Sequence, residues 1–118
     1  MTILHERLAS SMLLFSMVAA VWGLVAFARW RGMDGNFWGI LAVGEVLFLA
    51  QGVLGVLLYL GGTQPARGIH ILYGAVAVLT LPAYYVISKG RDDRTATLIY
   101  SLLCIFLTGI ILRSMVTG

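Results

Sequence analysis

Four long apolar runs follow one another along the chain, separated by short polar segments. The runs occupy about residues 3–29, 37–60, 66–88 and 95–113, and none of them alternates polar and apolar positions. Each is close to the roughly 20 residues that an α-helix needs to cross a hydrocarbon core of about 30 Å, whereas a membrane β-strand would alternate. We therefore predict an all-α fold, in which residues 1–118 form one integral membrane domain, an up-down-up-down four-helix bundle.

The composition agrees with a membrane protein. Of the 118 residues, 60% are hydrophobic and 11% are charged, which is too apolar for a soluble domain of this size. The first run is too long for the apolar core of a signal peptide and lacks a small-residue cleavage site, so we expect it to stay in the protein. The lone Cys104 excludes an internal disulfide and a thiolate metal cluster. The formal charge of +3 gives no case for a nucleic-acid partner.

Basic residues are divided unevenly between the two sides of the predicted bundle. The first and third connections hold Arg29, Arg31, Lys89, Arg91 and Arg94. The opposite side holds Arg7, Arg67 and Arg113. Because basic residues favour the cytoplasmic side, we predict that the first and third connections are cytoplasmic and that both termini lie outside. We expect a multi-pass protein of the bacterial inner (plasma) membrane, in contact with membrane lipid.

Two histidines lie near the beginnings of the first and third runs. Helices one and three of such a bundle run parallel and lie diagonally across its core, so His5 and His70 are expected at the same depth. Thr2 suits the N-cap of helix one, and Pro65 suits the first turn of helix three. Gly74 lies four residues after His70 on the same helix face and leaves room beside its ring. Two facing imidazoles suit a bis-histidine heme, which has no open coordination position and favours electron transfer.

Simpler explanations of these residues stay open at this point. A histidine near a helix end commonly reaches the interface or hydrogen-bonds to a neighbouring helix. Arg7, Arg67 and Arg113 suit the two heme propionates, but they also suit the ordinary role of flanking anchors that extend to the lipid headgroups. Met12 is an alternative soft axial ligand, although a transmembrane methionine more often packs in the core.

Part of the sequence resembles a known family. The segment Gln51-Gly52-Val53-Leu54-Gly55, followed by Pro65 and His70, is similar to the Q-x-x-L-G … P … H stretch of heme A synthases. The segment His5-Glu6-Arg7 resembles the histidine-arginine start of an earlier helix in that family. The resemblance covers roughly residues 5–75. It implies that His5 and His70 are the axial ligands of one heme b, and that Gln51, Gly52 and Gly55 line the cofactor side of helix two.

Two departures from that family bear on activity. Those synthases join two four-helix halves, and they carry a catalytic glutamate three residues before the first-helix histidine, where this chain has Thr2. Heme A synthesis by this chain alone is therefore not expected. We expect a b-type cytochrome that exchanges electrons with a quinone or a redox partner protein, as a homodimer or as a small subunit of a larger complex.

Glu45 is the only charged residue in the second run. An isolated charge inside a membrane is costly, so we expect a protonated carboxyl that forms a hydrogen bond or faces a polar cavity. Proton transfer and contact with a quinone headgroup are the functional interpretations. Two other functions therefore stay open, namely a small dimeric transporter of the multidrug type that uses Glu45, and a structural accessory subunit of a membrane complex.

Overall fold

The fold consists of four helices in the residues that the computed structural model describes, 2–62 and 68–117. These helices are α1 (Thr2–Ala28), α2 (Gly35–Leu60), α3 (Ile69–Ile87) and α4 (Arg94–Thr117). All four are long and apolar enough to cross a bilayer. The prediction of an all-α chain with four helices of membrane-spanning length is therefore confirmed.

Two helix ends differ from the predicted ones. α3 begins at Ile69 rather than near residue 66, and Gly68 is its N-cap residue. His70 is consequently the second residue of its helix, whereas His5 lies a full turn into α1. α4 continues past the predicted end at residue 113, so Arg113 lies within the helix and not at its end.

The helices form a ring in which each packs against two neighbours. α1 contacts α2 and α4, and α3 contacts the same two helices from the other side. The start of α2 meets the end of α3, as shown by the ring contact of Trp38 with Tyr85, so these neighbours run antiparallel. The contact of Arg94 with Phe27 shows the same for α4 and α1. α1 and α3 therefore run parallel on opposite sides of the bundle.

The core is centred on the close packing of α1 and α4, the most extensive contact in the bundle. Small residues allow this approach, since a Cβ at Gly23 would overlap the Ser101 hydroxyl and lie 2.7 Å from the Phe37 ring. Tyr100 and Cys104 are also buried along α4. α2 and α3 form the least extensive contact of the four neighbouring pairs.

The outer surface is apolar on every helix. Large side chains such as Leu14, Val46, Leu79 and Phe106 are about half exposed or more. A water-soluble monomer rarely exposes so continuous an apolar surface, whereas a bundle surrounded by lipid requires it.

The end formed by residues 29–34 and 88–93, which we term the loop end, is joined by backbone contacts. The Met33 N–H donates to the Asp92 carbonyl at 2.8 Å. A Cβ at Gly32 would lie 2.7 Å from that same carbonyl oxygen. α1 ends with Trp30 in the left-handed region, at φ 59°, and α3 ends in the same way with Lys89, at φ 55°. The two connections therefore form one packed layer.

Side chains strengthen this layer. Asp34 accepts a hydrogen bond from the Phe37 N–H at 2.8 Å and caps α2. Asp93 accepts one from the Ala96 N–H at 2.9 Å and caps α4. The Ala96 amide, together with the Arg91 side chain, holds the pKa of Asp93 below its ordinary value. Both acidic side chains thus satisfy helix N-termini that would otherwise lack partners.

Arg94 links the start of α4 to the end of α1. Its Nε donates to the Phe27 carbonyl at 2.9 Å. Its guanidinium carbon lies 3.7 Å from the ring centres of both Phe27 and Trp30, a geometry that favours a cation over aromatic faces. One half-buried side chain therefore joins two helices through a hydrogen bond and two ring contacts.

Candidate functional site

The rings of His5 and His70 meet at the end of the bundle opposite the loop end. Their centres are 6.2 Å apart, and their planes make an angle of 61°. Both side chains are half-buried. The structure therefore brings together the two histidines that the sequence analysis singled out, from diagonally opposed helices.

A backbone carbonyl from α4 orients His70. Its Nδ1 lies 3.0 Å from the carbonyl oxygen of Ser114. A carbonyl can only accept a hydrogen bond, so Nδ1 is the protonated nitrogen, and in the neutral ring Nε2 carries the lone pair. Metal-binding histidines are typically held in this way, because a hydrogen bond at one nitrogen fixes the tautomer and direction of the other.

The backbone of His5 is hydrogen-bonded to a neighbouring helix, whereas one nitrogen of its ring lacks a hydrogen-bond partner among the described residues. Gln51 of α2 donates from Nε2 to the His5 carbonyl at 2.8 Å. The Nδ1 atom of His5 is buried and has no hydrogen-bond partner among the described residues, and the same holds for Oε1 of Gln51. A buried polar atom without a partner is costly, so both atoms would gain free energy from a hydrogen-bond donor or acceptor placed beside them.

Three glycines predicted to surround the site have different environments. A Cβ at Gly55 would lie 3.5 Å from Cε1 of His5, so this residue lines the pair directly. A Cβ at Gly74 would meet no atom within 4 Å, which leaves open space beside α3. A Cβ at Gly52 would lie 3.6 Å from a methyl group of Val78, so Gly52 serves the contact of α2 with α3.

The distance between the two ring centres is similar to that of two imidazoles on opposite sides of a metal ion, and the planes of the two rings are in a T-shaped arrangement. A metal–imidazole bond is about 2.0 Å long and the nitrogen lies roughly 1 Å from the ring centre, so the centres of two opposed ligands are about 6 Å apart. The observed distance is 6.2 Å. In the described ranges, no group of three or more His, Cys, Asp or Glu side chains is placed to hold a metal ion. Among the described residues, His5 and His70 are therefore two imidazoles without a third His, Cys, Asp or Glu placed beside them as a metal ligand.

The predicted arginine partners are only partly described. Arg7 is exposed and lies two residues after His5, and Arg113 is exposed and directly precedes Ser114. Both therefore lie at the histidine end of the bundle. Arg67 and Pro65 fall outside the described residues, and so does the side chain of Thr2.

Glu45 was expected to form a hydrogen bond or to face a polar cavity, and the described residues contain no hydrogen-bond partner for it. Both of its carboxylate oxygens are buried, and neither has a hydrogen-bond partner in the described part of the chain. The residue lies ten positions after the start of α2, about 15 Å along the helix. It is therefore separated both from the loop end and from the histidines.

Sequence reasoning missed the partners of the histidine pair. The carbonyl of Ser114 has no side-chain signature, because any residue supplies a backbone acceptor. Gln51 was expected to face the cofactor, but its amide binds the backbone of α1. A signal existed only for Gln51, since a polar side chain in an apolar helix commonly bonds to a neighbouring helix.

Comparisons with known proteins add no assignment. No protein-family model matches the chain, and no curated protein or solved structure matches it significantly. The resemblance to heme A synthases therefore rests on the short motifs alone and stays a prediction. The geometry of the histidine pair is the basis for any proposal of function.

Proposed function

We propose that this chain is a multi-pass membrane protein that binds one heme b between His5 and His70 and transfers electrons. The observation that supports this most directly is the 6.2 Å separation of the two rings. His5 and His70 would hold the heme through their imidazole rings, and heme held by two histidines would supply one-electron oxidation and reduction.

The surrounding residues have positioning roles in this proposal. The Ser114 carbonyl holds His70 in the tautomer that directs Nε2 towards a metal. Gln51 fixes the start of α1 against α2 through the His5 carbonyl. Gly55 lies beside the His5 ring, and Gly74, on the helix that carries His70, leaves open space. Both glycines would leave room for a flat ring next to the histidine pair.

The arginines define the expected partners at the surface. Arg7 and Arg113 are exposed near the pair and suit the two propionates, as does Arg67 in the proposal from sequence. In the orientation predicted from the basic connections, the heme lies near the extracytoplasmic surface of a bacterial inner membrane. A quinone or a redox protein would then exchange electrons there, with the chain acting as a homodimer or as a subunit of a larger complex.

A reduced-minus-oxidised absorption spectrum of the purified protein tests the proposal. We expect a low-spin b-type spectrum in the wild type, and its loss or severe weakening in His5→Ala and in His70→Ala. Met12→Leu is the matched control, because Met12 is the alternative axial ligand and is buried in the core; this variant should keep the spectrum. A protein that stays colourless after addition of hemin, or two alanine variants with the wild-type spectrum, would contradict heme binding.

A proton-coupled transporter is a second candidate, supported by Glu45. Two buried carboxylate oxygens without a partner among the described residues are costly unless the group binds a proton. Glu45→Gln removes the titration and preserves the shape. If the protein is colourless and moves a substrate in response to a pH gradient, and Glu45→Gln abolishes that movement, the transporter is the better assignment. Under the heme proposal, Glu45→Gln leaves the absorption spectrum unchanged.

A further inference from the structure

A groove lies along the outer face of α1, remote from the histidine pair. Its volume is about 570 Å³. The floor is apolar and consists of Met17, Val18, Val21, Trp22, Val25 and Ala26. The end of the groove at the loop end is polar, with Arg29, Arg31, Asp34 and Asn36. A groove with an apolar floor and a polar end is complementary to an amphiphilic molecule, which has an apolar chain and a polar headgroup.

The length of the apolar floor fits one leaflet of a membrane. The nine steps from Met17 to Ala26 along α1 cover about 14 Å. This distance is close to half of a hydrocarbon core of about 30 Å. A single acyl chain that entered at the loop end would therefore lie beside α1 to about the middle of the bilayer.

The charges at the mouth are suited to an anion. Arg29 and Arg31 are exposed, and within the described residues neither forms an ion pair with an acidic side chain. Asp34 is the acidic group at the mouth, and one of its carboxylate oxygens accepts a hydrogen bond from the Phe37 N–H. Guanidinium groups bind phosphate through strong charge-assisted hydrogen bonds. The polar end of the groove therefore holds two arginine cations and the side-chain amide of Asn36. Its one carboxylate, that of Asp34, already accepts a hydrogen bond.

We propose that this groove binds an anionic phospholipid, with an acyl chain along the face from Met17 to Ala26 and its phosphate against Arg29 and Arg31. The inference is independent of the heme proposal, since it uses no residue of the histidine pair. Basic clusters next to membrane helices recognise anionic headgroups. Because this cluster lies beside an apolar groove, the site should bind a lipid, which has an acyl chain, more tightly than a soluble anion.

Native mass spectrometry of the full chain tests the site. The protein is equilibrated with an equimolar mixture of phosphatidylglycerol and phosphatidylcholine, and the retained lipids are counted. We expect the wild type to retain phosphatidylglycerol preferentially, and Arg29→Gln or Arg31→Gln to lower this preference about fivefold each. Asp34→Asn should raise it, because asparagine still caps α2 while the negative charge is removed. Arg91→Gln, in the other connection, is the matched control and should leave it unchanged.

A second variant separates the groove from surface charge in general. Ala26→Leu narrows the floor without changing any charge, and it should reduce lipid retention as much as an arginine variant does. Quenching of Trp22 fluorescence by brominated phosphatidylglycerol, in a Trp30→Phe/Trp38→Phe background, should weaken in parallel. The proposal would be overturned if Arg91→Gln lost as much preference for phosphatidylglycerol as the other arginine variants, or if the wild type showed no preference. It would also be overturned if the protein formed a dimer without lipid and Ala26→Leu dissociated that dimer.

Discussion

The two ends of the bundle satisfy their polar groups in different ways. At the loop end, backbone bonds such as Met33 to Asp92, the aspartate caps and the stacked Arg94 leave the connections joined to each other and to the helices. At the histidine end, Gln51 donates to the His5 carbonyl and the Ser114 carbonyl contacts His70, while the Nδ1 atom of His5 is buried without a partner among the described residues.

This difference indicates how stability and binding are distributed. Residues that already pair within the protein contribute to folding, since each lost bond exposes or strands a polar group. Residues that lack partners cost free energy until a ligand arrives, as expected of binding sites. We therefore expect substitutions at the loop end to affect chiefly the free energy of unfolding, and those at the histidine end to affect chiefly cofactor binding.

The largest contrast should come from two glycines. A Cβ at Gly32 would lie 2.7 Å from the Asp92 carbonyl oxygen, whereas one at Gly74 would meet no atom within 4 Å. Gly32→Ala must therefore displace backbone, and we expect it to lower the free energy of unfolding by about 3 kcal/mol. Gly74→Ala should leave it unchanged or raise it by up to about 1 kcal/mol, because alanine favours a helix. Detergent titrations followed by circular dichroism measure both, and similar losses would break the comparison.

A smaller contrast is expected between two arginines. Arg94→Ala removes the bond to the Phe27 carbonyl and two ring contacts, so it should cost about 2 kcal/mol of unfolding free energy. Arg113→Ala, on an exposed position of the same helix, should cost less than about 0.5 kcal/mol. Arg94→Lys keeps the charge but not the planar group, and should fall between wild type and Arg94→Ala. If Arg113→Ala destabilises as much as Arg94→Ala, the histidine end also contributes to folding stability.

The smallest effect concerns the pH dependence of the α4 cap. The pKa of Asp93 is lowered in the folded protein, first by the Ala96 amide and then by Arg91. Its stabilising contribution is therefore complete at pH values above the ordinary pKa of 3.8, and it is lost as the pH falls through the lowered value. Asp93→Asn keeps a capping oxygen but does not titrate. The difference in stability between wild type and variant should shrink on acidification, and a constant difference would contradict this role.

The number and approximate length of the helices could be predicted from the sequence, because the thickness of a membrane sets the length of an apolar run. Four apolar runs of the right length require four helices, and parallel α1 and α3 bring His5 and His70 to one end. The exact start of α3 was harder to predict, because Pro65 and Gly68 each suit a position at a helix start, and the described helix has Gly68 as its N-cap. Residue preferences near a helix end decide between neighbouring positions by small free energies, so such boundaries are the least predictable.

The details of the candidate site depended on contacts that residue types do not encode. Ser114 acts through its carbonyl, which any residue possesses. Whether a described residue reaches the carboxyl of Glu45 depends on the positions of the surrounding helices, and none does. Likewise, Trp30 adopts a left-handed conformation that residue preference would assign to glycine or asparagine. All three features depend on packing between residues far apart in the sequence, and short sequence motifs carry no information about such packing.

The hydrogen bond between His70 and Ser114 has a consequence for biosynthesis. It joins residues 44 positions apart, and α4, which supplies the acceptor, also forms the largest contact with α1. During translation the first three helices are made before either interaction is available. A nascent chain that ends in the third connection therefore has both histidines but lacks the group that orients one of them. The arrangement of the pair seen here is therefore complete only after synthesis has passed Ser114 and α4 has been inserted.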